Sequence, residues 1–220
     1  MTDTLIALLP ELWRALGETL LMLGLGLSAA VLFGGPLGVA LYLGLDAASA
    51  RGRRAGLVLG WLVNTVRSFP FIILMVALVP LTRVIAGTSI GPLAAAVPLS
   101  FAAIPYFARL VEQQLRDVPR GVIEAAEAMG ASTWQIVTRV LLREARSGLV
   151  LALTVLAISF LSYSAVAGVV GGGGIGDLAI RYGYYRFETD VMVLTVALLV
   201  LLVQLIQFSG GRLARRLDKR

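Results

Sequence analysis

The groups that could do chemistry in this chain are few, and their types exclude more than they allow. There is no histidine and no cysteine in the sequence. That removes the usual general base, the commonest metal ligand and every thiolate or disulfide. No Walker motif is present, and no pair of carboxylates stands at catalytic spacing inside an apolar stretch, so no catalytic residue and no metal site is assigned. The run Gly171-Gly172-Gly173-Gly174-Ile175-Gly176 resembles a phosphate loop but lacks the Lys-Ser/Thr ending; a tight turn or a flexible gate is the expected use. Two polar constellations remain. Asn64, Arg67, Ser68 and Pro70 interrupt an apolar stretch, where Arg67 brings a permanent charge and a fork of N–H donors. An arginine at membrane depth either lines a path or subunit contact, or pairs with backbone carbonyls and holds the fold. Glu124 and Glu127, three apart in a polar stretch, share a helix face and present carboxylates outward.

The elements that must position these groups are membrane spans. Of 220 residues, 58% are hydrophobic and 15% charged, and the mean hydropathy is +0.88. The fold class is therefore an all-α polytopic membrane protein. Five spans are read at about residues 20–45, 57–81, 92–111, 148–170 and 191–208. The first would reach about 39 Å as a helix, enough to cross the bilayer with tilt. It holds Gly34 and Gly38 around Pro36; these either admit a close helix neighbour or are merely tolerated. In the second span Pro70 frees the carbonyl of Val66, so that helix is expected to break. Pro98 and Pro105 make the third span bendable. Residues 1–12, interrupted at Pro10, read as an interfacial segment on the outer side, without the basic region of a signal peptide. Residues 13–208 form the transmembrane domain. Residues 209–220 are a basic tail suited to anionic lipid. Thr82–Gly91 and Gly171–Asp190 are expected as loops. In the second of these, Tyr182, Tyr184 and Tyr185 fit an interfacial belt or, with Arg181 and Arg186, a surface for a partner.

Charge placement orients the chain. One set of loops holds Arg51, Arg53 and Arg54, then Arg116, Arg120, Arg139, Arg143 and Arg146, then Arg212, Arg215, Arg216, Lys219 and Arg220. The other holds only Arg14, Arg83, Arg181 and Arg186, while Arg67 and Arg109 lie within spans. The positive-inside rule then puts the C-terminus and the loop at 112–146 in the cytoplasm and the N-terminus outside. The net charge of +6 is thus a topology signal, and no nucleic-acid partner is expected.

The loop at 112–146 carries its own helix signals. Ala125, Ala126 and Ala128 favour helix, Gly130 stands where a left-handed C-cap would end it, and Ser132 with Gln135 forms a capping box that starts a second. Pro119 fits a first helical turn. On these residues alone the element is either a solvated linker or a docking knob.

Glu124-Ala125-Ala126-x-x-x-Gly130, followed by Val140 and Leu142, closely resembles the EAA signature of the membrane subunits of bacterial ABC importers. That family usually has a proline after the position of Leu142; this chain has Arg143. Asn64-x-x-Arg67-Ser68-x-Pro70, Thr88-Ser89-Ile90-Gly91 and Tyr163-Ser164-Ala165 with the glycine run are similar to the methionine-importer permeases in particular. The resemblance implies a type I importer fold and a homodimer in the bacterial inner membrane. It further implies two cytoplasmic ABC ATPase subunits that bind ATP and Mg, a periplasmic substrate-binding lipoprotein, and no cofactor in this chain. By the same resemblance Glu124, Ala125, Ala126, Glu127, Met129, Gly130 and Ala131 are the residues coupled to the ATPase. Asn64, Arg67, Ser68, Pro70, Tyr163 and Ser164 are candidates for the translocation path or subunit interface. The implied solute is D- or L-methionine, with another amino acid or small solute as the alternative. A secondary transporter would need titratable groups at midplane or inverted repeats, and neither is visible. A membrane scaffold without transport is the third reading.

Overall fold

The computed structural model describes residues 2–45 and 49–218, and all of its regular elements are helical. Helix α1 (Thr2–Ala29) passes through a wide π-type turn (Ala30–Gly34) into α2 (Gly35–Leu45). Pro10 lies inside α1, so the described part of segment 1–12 is continuous with the first span, correcting the expected break. Membrane helices tolerate such a proline because neighbouring turns re-satisfy the freed carbonyl.

Helix α3 (Ala50–Arg67) starts on Ser49, whose Oγ accepts the Gly52 N–H at 3.1 Å, a standard N-cap. It ends at Ser68, and the chain turns through 97° into α4 (Phe71–Ala77). Helix α5 (Val79–Ala86) follows and stops at Gly87, which takes the left-handed conformation. The second span is therefore broken as expected, into a bent pair, while the expected loop at 82–91 is instead helical as far as Ala86. Pro70 explains the break, since it supplies no N–H and forces its predecessor out of the helical region.

Helix α6 (Pro92–Arg116) is the centre of the bundle. It runs unbroken through Pro98 and Pro105 and buries Ala94, Ala95, Leu99, Ala103, Phe107 and Ala108. Its small residues let other backbones approach. A Cβ on Gly34 would meet the Ile104 carbonyl oxygen at 2.6 Å, and one on Gly38 the Ala108 carbonyl oxygen at 2.6 Å. The glycines of the first span are thus contact residues. Lipid tails are as apolar as leucine, so such close packing, not water exclusion, holds membrane helices together.

Beyond α6 come α7 (Arg120–Ala128), α8 (Thr133–Gln135), a π-type turn (Ile136–Leu141) and α9 (Leu142–Glu144). Helix α10 (Arg146–Ala167) packs on α6 through Leu156 and Phe160. The region 171–190, expected as a loop, is instead mostly helical: α11 (Gly174–Leu178) and a further π-type turn (Ala179–Tyr184) fold back into the bundle. Helix α12 (Thr189–Leu217) closes the fold. Its last turns include the expected tail, of which Lys219 and Arg220 lie outside the described residues. Arg146 Nε donates to the Leu217 carbonyl at 2.8 Å and Ser147 Oγ to that of Ala214 at 3.1 Å, so the end of α12 is docked on α10. Among the described residues four helices are long and apolar enough to cross a membrane, or five if the bent pair counts as one span.

Candidate functional site

The helix-turn-helix loop is built by local rules that operate as the sequence predicts. Pro119 occupies the N-cap position, one residue earlier than a first helical turn, and α7 begins at Arg120. At its end the Gly130 N–H donates to the Glu127 carbonyl at 2.8 Å and the Ala131 N–H to that of Ala126 at 3.1 Å. That pair is a Schellman cap, and Gly130 holds the required φ of +78°. Ser132 Oγ accepts the Gln135 N–H, and Gln135 Oε1 accepts the Ser132 N–H at 2.8 Å, completing the capping box. Ala126 is 4% exposed and packs in one cluster with Leu115, Val118, Ile136, Val137 and Leu141. Glu124, Ala125, Glu127, Met129 and Gly130 face outward, and Ala131 is half-buried. A Cβ on Gly130 would meet no atom within 4 Å. The Gly130→Ala substitution should therefore cost only the left-handed strain, about 1 kcal/mol. Thermal unfolding of the purified protein should fall by roughly 2–4 °C.

One residue of this loop escaped sequence reasoning as a candidate. Trp134 is 74% exposed beside Met129 at 83%. Large apolar side chains at the tip of a polar loop are the available signal, since water tolerates them only at a cost. The exit from the loop is also settled. From Thr133 to Ala167 only Ala145 leaves the helical assignment, and its N–H still reaches the Leu141 carbonyl at 2.9 Å. The π-type turn over Ile136–Leu141 adjusts the direction of the chain, and Arg143 sits in a short helix where no proline is needed.

The second constellation divides. Arg67 is exposed, and its guanidinium stands 5.3 Å from the Tyr106 ring centre. Phe160 lies edge-on to both Tyr106 and Tyr163, and Tyr163 stacks flat on Phe71 at 4.8 Å. Arg67, Tyr163 and the residue after Pro70 thus belong to one aromatic cluster at the bend between α3 and α4. The carbonyl of Val66 is taken by the Phe69 N–H at 3.3 Å. Ser68 Oγ donates to the Asn64 carbonyl at 2.9 Å. Ser164 is buried, and its hydroxyl donates to the Leu161 carbonyl at 2.7 Å. Asn64 turns away from this cluster and accepts from Arg109 Nε at 3.2 Å.

Arg109 and Glu112 are the polar pair that sequence reading did not use. Glu112 is 4% exposed and holds Arg109 Nη1 at 2.5 Å and Arg116 Nε at 3.1 Å. Arg109 Nη2 donates to the Gly60 carbonyl at 2.9 Å. The signal was the helical spacing of Arg109, Glu112 and Arg116, which puts three charges on one face.

At the opposite end of the bundle the first helix caps the folded glycine region. Glu18 Oε2 accepts the Gly174 N–H at 2.8 Å and Thr19 Oγ1 the Ile175 N–H at 2.9 Å. Glu11 accepts the Tyr182 hydroxyl at 3.0 Å, and that hydrogen bond holds the phenol above its usual range, with burial adding to it. The glycine run is therefore a close-packed turn with positive φ at Gly171, Gly173 and Gly174, not a flexible loop. Tyr184 and Tyr185 are exposed, whereas Tyr182 is buried under Arg186, 4.3 Å from its ring centre.

Comparison with known proteins places this geometry. The family described as "Binding-protein-dependent transport system inner membrane component" matches residues 34–220. The D-methionine transport system permease protein MetI of Escherichia coli (strain K12) is 44% identical over 214 residues, 96% of this chain and 99% of that one. The methionine import system permease protein MetP of Bacillus subtilis (strain 168) is 39% identical over 212 residues, 96% of each chain. Among solved structures, a chain of the MetNI methionine ABC transporter in an inward-facing conformation superposes with a TM-score of 0.93 at 44% identity, covering 97% of this chain and 99% of that one.

Proposed function

This chain belongs to the binding-protein-dependent transport system inner membrane components, and from that premise we propose that it is the permease subunit of an ATP-driven ABC importer of methionine. It is a multi-pass inner-membrane protein. The observation that carries the reading is a likeness in sequence and fold that runs along nearly the whole chain.

The rest is our reading of how the parts work. Two copies enclose the path, because five spans are few for a pore and the apolar flank of α12 is left exposed. The loop with Glu124, Ala125, Ala126, Glu127, Met129, Gly130 and Ala131 faces the cytoplasm and docks on an ATPase subunit, one per permease. ATP and Mg bind to those subunits. ATP binding closes the ATPase pair, and each α7 moves as a rigid lever, since its C-terminal end is capped at Gly130 and Ala126 packs it onto the bundle. The bundle then exchanges outward and inward openings, and a periplasmic binding protein delivers methionine to the end that holds Tyr184 and Tyr185. Arg67, Pro70 and Tyr163 at the bent pair line the path or the subunit contact. Asn64 and Ser68 shape the bend, and Ser164 packs the wall.

Reconstitution of the permease with its ATPase in proteoliposomes tests this. Labelled L- or D-methionine should accumulate only with ATP and the binding protein present. Accumulation of a different amino acid in its place would overturn the substrate. Accumulation driven by an ion gradient without ATP would overturn the class.

A further inference from the structure

Arg109 joins two helices at a point between the loop and the bend. All three of its guanidinium nitrogens are engaged: Nη1 on Glu112, Nε on the Asn64 side chain and Nη2 on the Gly60 carbonyl. Glu112 lies on α6 with it, while Gly60 and Asn64 lie on α3, so the guanidinium crosses the interface between the helices. A buried carboxylate must be neutralised, and Glu112 is held by Arg109 on one oxygen and Arg116 on the other. The pair therefore fixes the guanidinium in one orientation on α6, with its remaining donors aimed at α3.

The position matters more than the bond. Arg116 ends α6, and only Asp117, Val118 and Pro119 separate it from α7. Val118 and Leu115 are buried in the same cluster as Ala126, so α7 cannot shift without pressing on the end of α6. On the other side, Asn64 is one turn from Ser68, where the chain turns through 97°. The contacts run in series from the loop to the end of α6, then through Arg109 to α3, and so to the bend beside Arg67 and Tyr163.

We propose that Arg109 is a positioning residue that makes the last turns of α3 move with α6, and so carries the motion of α7 to the bent pair. This rests on the importer reading above. A lysine could keep the charge beside Glu112, but as a point donor it cannot hold Asn64 and the Gly60 carbonyl together with the carboxylate. Without the clamp, ATP turnover continues while the bend no longer follows.

The test uses the full complex in proteoliposomes, with Arg109→Lys and, separately, Gly60→Ala. A Cβ on Gly60 would stand 3.0 Å from Arg109 Nη2, so alanine presses the guanidinium aside by a few tenths of an ångström without touching any charge. For both variants we expect an assembled complex whose ATP hydrolysis stays within about twofold of wild type, while methionine transported per ATP falls about tenfold or more for Arg109→Lys and several-fold for Gly60→Ala. Unchanged transport per ATP in both variants overturns the clamp. So does a fall in hydrolysis and transport that tracks the amount of assembled complex, because that marks a purely structural role. Failure of the wild-type complex to take up methionine with ATP overturns the importer reading instead, and is scored before any variant.

Discussion

Gly176→Ala is expected to leave little folded protein in the membrane. Gly176 lies in α11 and packs directly on the backbone of α10: a Cβ there would fall on the Cα and carbonyl oxygen of Ala165. Neither atom is the end of a flexible side chain, so one helix must move away from the other. That separation is opposed at two further places. A Cβ on Gly168 would stand 2.5 Å from the Asp177 nitrogen, which shows how tightly the same turn is closed. Glu18 and Thr19 also tie the start of α11 to the first helix through the Gly174 and Ile175 amides. Overpacking of this kind costs about 3 kcal/mol or more when backbone must shift, and opening the cap also breaks the buried Ile175 amide bond to Thr19. Against a total stability on the order of 5–15 kcal/mol, that is enough to divert much of the chain to degradation. The measurement is the yield of monodisperse protein after detergent extraction, with Gly121→Ala as control. Gly121 lies in α7 with open space around it, and alanine there should be neutral or slightly stabilising through helix propensity. Equal yields from the two variants would show that the α10–α11 contact is not tight in solution.

The same glycines mark where sequence reading reaches its limit. Gly130, Ser132 and Gln135 were readable because caps obey short-range rules: the residues that make the hydrogen bonds lie within a few positions of one another. Pro70 marked the break in the second span for the same reason. Its missing N–H is a local fact, whereas the 97° turn depends on what α4 packs against. Gly171 to Gly176 read as either a tight turn or a flexible gate because composition cannot tell a mobile glycine from one pressed against another backbone. The partners that decide it, Glu18, Thr19 and Ala165, are distant in sequence or stand across a turn. Arg109 is the clearest case at the candidate site. Its spacing to Glu112 and Arg116 was visible along one helix, but its contact with Gly60 joins residues 49 apart and has no sequence signature. Pro10 misled in the opposite direction: a local rule predicted a break that the membrane helix does not make.

Loss of the apolar tip of the helix-turn-helix loop should abolish uptake while leaving the permease folded. Met129 and Trp134 project from either side of the Gly130 turn, 83% and 74% exposed, and are the most exposed large apolar side chains of the loop, well beyond Val122 at 39%. Neither side chain belongs to the packed cluster that includes Ala126, Ile136 and Val137, so truncating them leaves no cavity in the chain. Their folding cost should be close to zero, and burial in a partner is where they would gain. A tryptophan buried at the centre of an interface typically accounts for about 2–4 kcal/mol of binding, which corresponds to roughly 30- to 1,000-fold in affinity. Glu124 and Glu127 lie on the same outward surface of the loop and would set the docking register more than the affinity. For Met129→Ala combined with Trp134→Ala we therefore expect an unchanged thermal midpoint for the permease alone. Co-purification of the ATPase should fall by about 100-fold in apparent affinity, and ATP-dependent methionine uptake should drop to background. Glu124→Lys should act more weakly on binding and more strongly on uptake, because a misregistered lever still docks. If the double variant retains full ATPase binding, α7 is not the docking element, and the rigidity built by the Gly130 cap and the Ser132–Gln135 box serves the fold alone.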